Sequence, residues 1–209
     1  TIKDAGIRLA GQIDDILDYT ETRREDVILE EEDYMTTSLI NDAITNFSMN
    51  EDAALLEMVV DVAPDIPTVM NGDIKKLHKI FRHLLSNAVK FTRTGGIFVK
   101  VYAEQMRYGV NLHIEVSDTG IGMGQKDASF ASQGLYQANK KRNRSSGGVG
   151  LGLSIVYGFA HRMGGFVKIK SGKGEGTTVR VTIPQKVVRP DAFLKLDPFF
   201  TGDVLFHVR

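Results

Sequence analysis

Glycine is concentrated in one part of this chain, and that concentration constrains the fold more than any other feature of the sequence. Of the 21 glycines, 17 lie between Gly95 and Gly176. Glycine in a regular element costs conformational entropy, so a cluster indicates backbone that needs a positive φ angle or must approach another group closely. We therefore expect the functional site to lie in this part of the chain.

The overall composition is that of a globular protein, with 42% hydrophobic and 25% charged residues and with 26 basic against 26 acidic residues. This balance argues against a disordered chain and against a nucleic-acid-binding protein. No apolar run approaches the roughly 18 residues of a membrane span, so we expect no membrane contact, and the start lacks a signal peptide. The absence of cysteine excludes disulfides and thiolate metal sites and fits a cytoplasmic location.

Hydrophobic periodicity predicts alternating helices and strands. Helices are predicted at residues 1–22, 37–50, 73–91 and 150–163, and strands at 34–36, 54–62, 97–105, 110–117, 166–170 and 177–183, the last closed by Pro184. Residues 118–148 are glycine-rich and polar with weak periodicity, which predicts a long loop. The tail, residues 185–209, is either a linker to another domain or a strap on this one. The first helix is marginal alone, which suggests a partner helix upstream or in a second copy.

The helix predicted at 73–91 has a face suited to phosphates beside its apolar stripe. His83, Asn87 and Lys90 are spaced by four and three residues and therefore share that face. An amide oxygen is a suitable ligand for Mg²⁺, and an ammonium group binds phosphoryl oxygens. A solvated helix face that carries these residues by chance is the alternative.

Three glycine-bearing segments follow this helix. Asp118 comes directly after a strand and before Gly120 and Gly122, where its carboxylate could accept a hydrogen bond from the adenine amine; an ordinary turn is the alternative. The segment GGVGLGLS, residues 147–154, offers backbone amides and a helix N-terminus to phosphates, or forms a flexible hinge. In GKGEGTT, residues 172–178, a tight hairpin alone would explain the glycines.

The order and spacing of these motifs resemble the nucleotide-binding domain of bacterial sensor histidine kinases, a branch of the GHKL ATPase superfamily. LLSNAVKFT resembles the N box of that family, and DTGIGM, GGVGLGL and GEGTTVRVTIP resemble its three glycine boxes. GQIDDILDYTETR resembles the end of the dimerisation and phosphoacceptor hairpin. The implied divisions are the hairpin end and linker at 1–33, the ATP-binding catalytic domain at 34–184, and a C-terminal extension or linker at 185–209.

This resemblance implies a two-layer α/β sandwich, in which helices cover one face of a mixed sheet and the N-terminal helix projects. It implies ATP and Mg²⁺ as cofactors, with Asn87 holding the metal, Lys90 meeting the phosphates and Asp118 reading the adenine amine beside Gly122. Thr177 would support the adenine pocket. The complete set of implied binding residues is His83, Asn87, Lys90, Asp118, Gly120, Gly122, Met123, Arg144, Gly148, Val149, Gly150, Leu151, Gly152, Leu153 and Thr177.

Three departures from the family pattern stand out. His83 occupies the position of a second asparagine, and residues 132–135 replace an FEPF-like element of the lid. The lid is also basic, with Arg144 where the family often has an arginine. The histidines are His78, His83, His113, His161 and His207, and none has phosphoacceptor surroundings. We therefore expect a fragment that binds ATP and Mg²⁺ but cannot phosphorylate itself.

The function implied by the resemblance is donation of the ATP γ-phosphoryl group to a histidine on a helix outside this chain. The implied partners are that phosphoacceptor helix, a response regulator and, in the full-length protein, a second copy; the full-length protein would be membrane-anchored. Two alternatives remain open. One is another GHKL enzyme, an ATP hydrolase or a serine-directed kinase, and the other is a degenerate scaffold that binds nucleotide without catalysis.

Overall fold

The computed structural model describes residues 2–24, 28–49, 53, 55–132, 151–193 and 205–208. The helices are α1 (Ile2–Arg23), α2 (Thr36–Ser48), α3 (Ile74–Phe91), α4 (Gln125–Ser132) and α5 (Gly152–Arg162). The strands are β1 (Glu32–Met35), β2 (Glu57–Val62), β3 (Pro67–Gly72), β4 (Gly96–Met106), β5 (Gly109–Asp118), β6 (Phe166–Gly172), β7 (Gly176–Ala192) and β8 (Leu205–Val208). No helix in these ranges is both long and apolar enough to cross a membrane.

The strands form one mixed sheet in the order β1-β3-β7-β5-β4-β2-β8, with β6 paired to β7. Among the described pairings β2 and β4 are parallel, and the others are antiparallel. Along one edge, the long strand β7 pairs with two different strands. Its first part pairs with β6 as far as Thr182, and its last part pairs with β3 from Lys186 to Ala192. The middle of the sheet is therefore the antiparallel group β4, β5 and β7.

The hydrophobic core lies between one face of the sheet and the helices. Along β4, Ile97, Val99 and Val101 are buried, while the alternate residues Phe98 and Lys100 are exposed. Helix α3 contributes the apolar stripe read from the sequence, and α2 and α5 pack beside it. Its first turn is capped by the Asp73 carboxylate, which accepts the Lys76 amide at 3.0 Å. The expected two-layer α/β sandwich with helices on one face is confirmed.

The sequence prediction misses one strand and ends another too early. Residues 67–72 form β3, and Pro67 stands at its first position, where a strand tolerates proline. Pro184 does not end the last strand, because β7 continues to Ala192. On one edge of β7 the pairing with β6 ends at Thr182 and the pairing with β3 starts at Lys186. Pro184 lies between them, so its missing N–H does not break a backbone hydrogen bond on that edge.

The predicted loop at 118–148 also needs correction, because Gln125–Ser132 forms helix α4. Residues 133–148 lie outside the described residues. The C-terminal segment contributes to the sheet, since residues 185–192 belong to β7 and β8 pairs antiparallel with β2.

Helix α1 packs on both α3 and α5, and a buried carboxylate joins it to α3. Asp18 is only 5% exposed, and its oxygens lie 2.9 Å from Lys79 Nζ, 2.6 Å from Arg82 Nη2 and 3.1 Å from His83 Nε2. Against α5 the approach is close enough that a Cβ at Gly158 would overlap the side chain of Thr22. Four apolar residues of α1 remain about half exposed or more, namely Leu9, Ile13, Ile16 and Leu17.

The environment of Asp18 stabilises its ionised form. Burial opposes ionisation, but the hydrogen bonds from His83 and Lys79 and the charges of Lys79 and Arg82 outweigh it and lower the pKa from 3.8 to about 2. A carboxylate whose pKa is depressed on folding contributes stability above its unfolded pKa, and loses it as the pH falls through the folded value.

We predict that the Asp18 carboxylate contributes about 2 kcal/mol to the free energy of unfolding at about pH 7. This contribution should be lost as the pH falls from about 5 to about 2. Asp18→Asn should remove that pH-dependent part and loosen α1. Urea unfolding as a function of pH, with hydrogen exchange of the α1 amides, measures both effects. Asp14→Asn, which changes an exposed aspartate of the same helix, should do neither; equal losses in the two variants would contradict the assignment.

Candidate functional site

The site begins at the end of β5, where Asp118 lies between two neighbouring strands. Its cross-strand neighbours are Ile97 on β4 and Thr177 on β7. The half-buried carboxyl accepts the Gly120 amide at 2.8 Å through Oδ1. Burial raises the pKa of Asp118, and hydrogen bonding from the Gly120 and Thr177 amides and the Thr92 hydroxyl offsets only part of that rise. The neutral donors beside this carboxylate therefore stabilise its ionised form only in part, and a further hydrogen-bond donor would stabilise it more.

Glycines allow three segments to meet around Asp118. A Cβ at Gly120 would overlap the carbonyl oxygen of Phe91, and one at Gly122, where φ is 58°, would overlap that of Gly172. A Cβ at Gly176, where φ is 81°, would overlap the carbonyl oxygen of Asp118 itself. The close approach that the glycine cluster predicts is thus present, and it brings the end of α3, the segment after β5 and the β6–β7 turn together.

Hydroxyl groups join the same segments. Ser171 Oγ accepts the Met123 amide at 2.8 Å, donates to the Gly176 carbonyl at 2.8 Å and lies 2.9 Å from Thr177 Oγ1. Sequence reasoning names Thr177 and Met123 but misses Ser171. The signal that could have found it is the hairpin register, which pairs Ser171 directly with Thr177.

The residues predicted to form a phosphate-binding face of α3 contact two different helices. His83 is 4% exposed and faces α1, where Asp15 also approaches, with 3.8 Å between His83 Nδ1 and Asp15 Oδ1. Asn87 faces α5, because a Cβ at Gly152 would lie 3.2 Å from its Nδ2. Burial lowers the pKa of Lys90, and the charge of Asp15 opposes that shift. The structure therefore places Asn87 beside Gly152, while His83 is hydrogen-bonded to α1.

The glycine segment before α5 is described only at its end. Leu151 is buried and stands at the N-cap position, with no side-chain hydrogen bond capping the first turn. Gly152 and Leu153 begin the helix, and its first amides are thus left for another acceptor. Arg144, Gly148, Val149 and Gly150 lie outside the described residues.

Asp118 and the polar face of α3 are linked through the end of that helix. The amide of Ile121 donates to the Phe91 carbonyl at 3.2 Å, so the segment after Asp118 is held against the turn that follows Lys90. Within the described ranges no group of three or more His, Cys, Asp or Glu side chains could hold a metal ion. The Asn87 amide fits Mg²⁺ as one ligand among phosphate oxygens and waters.

A comparison with protein families agrees with this geometry. The model of the histidine kinase-, DNA gyrase B- and HSP90-like ATPase family matches residues 72–187, which include α3, the segment after β5 and the β6–β7 hairpin.

Similar proteins in the curated collections are sensor histidine kinases. Sensor histidine kinase GacS of Pseudomonas protegens is 33% identical over 193 residues, which cover 92% of this chain and 21% of GacS. The histidine-protein kinase BarA of Escherichia coli is 30% identical over 179 residues, covering 85% of this chain and 20% of BarA. The chain thus spans about a fifth of the length of these relatives.

Solved structures share the fold. Full-length ShkA, crystallised in complex with AMPPNP, has a TM-score of 0.72 and 24% identity, covering 90% of this chain and 38% of that one. The Acinetobacter baumannii histidine kinase AdeS has a TM-score of 0.64 and 16% identity, covering 87% of this chain and 80% of that one. With the matched segment and the motifs around Asp118, these likenesses identify the chain as a member of the histidine kinase-, DNA gyrase B- and HSP90-like ATPase family, similar to that domain of sensor histidine kinases.

Proposed function

We propose that this chain is the catalytic domain of a two-component sensor histidine kinase that binds ATP with Mg²⁺. The observation that carries the proposal is the environment of Asp118. In the described part of the chain this half-buried carboxylate has neutral donors, at a place where Gly120, Gly122 and Gly176 let backbone segments meet closely. The exocyclic amine of adenine is the donor that this carboxylate lacks. Asn87 and Lys90 continue the site along α3 towards the phosphates.

The proposed reaction moves the γ-phosphoryl group from ATP to a histidine ring nitrogen. The bond from the γ-phosphorus to the β–γ bridging oxygen breaks, a phosphorus–nitrogen bond forms, and ADP leaves with the bridging oxygen. Such transfers need positioning and charge neutralisation more than covalent help from the protein. Lys90 would neutralise phosphate charge, and the free amides at the start of α5 would orient phosphate oxygens.

Mg²⁺ would supply further charge neutralisation, and we assign its protein ligand to Asn87 alone. The His83 imidazole stands one turn earlier on the same helix, but it is already hydrogen-bonded to Asp18. For Arg144, Gly148, Val149 and Gly150 a role at the phosphates is proposed from the motif resemblance only.

The partners are proposed from the same resemblance and from the names of the relatives. They are a phosphoacceptor helix of the same receptor, a response regulator and a second copy in a full-length protein anchored to the membrane. Joining this chain to a helical hairpin that carries a phosphoacceptor histidine, and adding ATP with Mg²⁺, tests the activity. Acid-labile phosphate on the hairpin supports the kinase, whereas free phosphate alone supports an ATP hydrolase, and nucleotide binding without either product supports a scaffold.

We predict that Asp118→Asn weakens ATP binding by about ten- to a hundredfold, because loss of a charge-assisted hydrogen bond costs roughly 1.5–3 kcal/mol. Calorimetry with ATP and GTP should show that the preference for ATP falls, while circular dichroism stays unchanged. Asp65→Asn, at an exposed turn, serves as the control. Unchanged selectivity in Asp118→Asn would overturn the adenine assignment.

A second prediction concerns the pH dependence of the same contact. The raised pKa of Asp118 means that its charge is lost at a higher pH than for an ordinary aspartate, so base binding should weaken earlier as the pH falls. Adenosine is the suitable ligand, because it carries no phosphate that titrates. Its affinity should decline on acidification in the wild type and stay flat in Asp118→Asn; parallel curves would rule out this carboxylate.

A third prediction separates the phosphates from the base. Lys90→Ala should weaken ATP by about tenfold or more and leave adenosine unchanged, since the ammonium meets only phosphoryl oxygens. Asn87→Ala should remove the dependence of ATP affinity on Mg²⁺. Lys75→Ala is the matched control, because Lys75 is an exposed lysine of the same helix paired with Glu30. An equal loss for adenosine and ATP in Lys90→Ala would contradict the assignment.

A further inference from the structure

Helices α1 and α3 run antiparallel, and acidic residues of α1 face basic residues of α3. Near the end of α1, Glu21 Oε2 lies 2.7 Å from Lys79 Nζ. One turn earlier, Asp18 Oδ2 lies 3.1 Å from His83 Nε2, and a further turn earlier Asp15 Oδ1 lies 3.8 Å from His83 Nδ1. Each step towards the start of α1 is therefore a step towards the end of α3.

Asp15 is the member of this series that lies nearest to the end of α3. Its distance of 3.8 Å from His83 is too long for a hydrogen bond, and its side chain is 28% exposed. Lys90 follows His83 by seven residues, which is about two turns, so both lie on the same side of α3. Burial lowers the pKa of Lys90, and the negative charge of Asp15 opposes that shift. The field of Asp15 therefore reaches the Lys90 ammonium group.

A carboxylate near this ammonium group has opposite effects on an empty and on a filled phosphate site. Without a ligand, the attraction between Asp15 and Lys90 favours the docked position of α1. With ATP bound, the phosphates bring several negative charges to the same ammonium group, and Asp15 repels them. Lys90 is half-buried, and partial burial makes both interactions stronger than they would be in bulk water.

We propose that Asp15 determines how strongly the site discriminates between nucleotides of different phosphate charge, because it opposes phosphate binding at Lys90. This inference rests on the proposed function, in which Lys90 meets the phosphates. Asp15 acts through Lys90 and not on the reacting atoms, so it is a positioning residue. Coupling between two binding events is reciprocal, so ATP loosens the docking of α1 by the same factor by which docked α1 weakens ATP.

The test combines three variants with ligands of different charge. Asp15→Asn removes the charge and keeps the shape of the side chain, and Asp15→Glu keeps the charge. Asp14→Asn removes the same charge from the neighbouring, exposed position of the same helix. Calorimetry with ATP, ADP and adenosine, at a constant excess of Mg²⁺, measures the affinity of each variant for each ligand.

We expect Asp15→Asn to strengthen ATP binding by about threefold to tenfold, to strengthen ADP binding less and to leave adenosine unchanged. Asp15→Glu and Asp14→Asn should stay within about twofold of the wild type for every ligand. The gain in Asp15→Asn should shrink as the salt concentration rises, because salt screens the repulsion. A merely structural role of Asp15 would change the affinity for all three ligands equally and would overturn the proposal.

A weaker affinity for ATP in Asp15→Asn would also overturn the proposal, because the carboxylate would then assist phosphate binding, as a metal ligand does. Hydrogen exchange of the wild type gives a test without any variant. Saturation with ATP should speed the exchange of the α1 amides relative to saturation with adenosine. Equal exchange with the two ligands would contradict the coupling.

These measurements separate the proposal from the function on which it rests. If the wild type binds no ATP, the proposed function and the role of Asp15 both fail. If the wild type binds ATP and Asp118→Asn weakens it, but Asp15→Asn leaves the ratio of ATP to adenosine affinity unchanged, the function stands and the role of Asp15 is overturned.

Discussion

The antiparallel ladder between β5 and β7 holds the site together, because it sets Asp118 opposite Thr177 at the end of two paired strands. A slip of one residue would turn Asp118 to the other face of the sheet. The ladder also brings the β6–β7 turn beneath the segment after Asp118, where Ser171 joins Met123 to Thr177. The glycines follow from this register, since only they allow the segments to lie so close.

Two aspartates, the buried Asp18 and the half-buried Asp118, show how the same side chain takes opposite roles. Asp18 is surrounded by Lys79, Arg82 and His83, and pairing outweighs burial, so its pKa is lowered. Among the described residues Asp118 has neutral donors around it, and burial outweighs them, so its pKa is raised. The first is a satisfied bond between helices. The second is short of one donor, as a ligand-binding carboxylate would be.

Most elements and the order of the site could be predicted from the sequence, because periodicity and glycine spacing are local signals. The helices end within about two residues of their predicted limits. The misses have tertiary causes. Pro67 and Pro184 are tolerated through their places in the ladder, and His83 finds Asp18, 65 residues away in the chain.

The contact between α1 and α3 also has a rotational consequence. Successive side chains of an α-helix point about 100° apart around its axis, and Asp18 is flanked by Leu17 and Tyr19. Turning α1 by one residue would present an apolar or aromatic group to the cations of α3 and break all the bonds of Asp18 together. The docked helix therefore has one angular setting, and any torque on α1 would act on His83, one turn before Asn87 on α3.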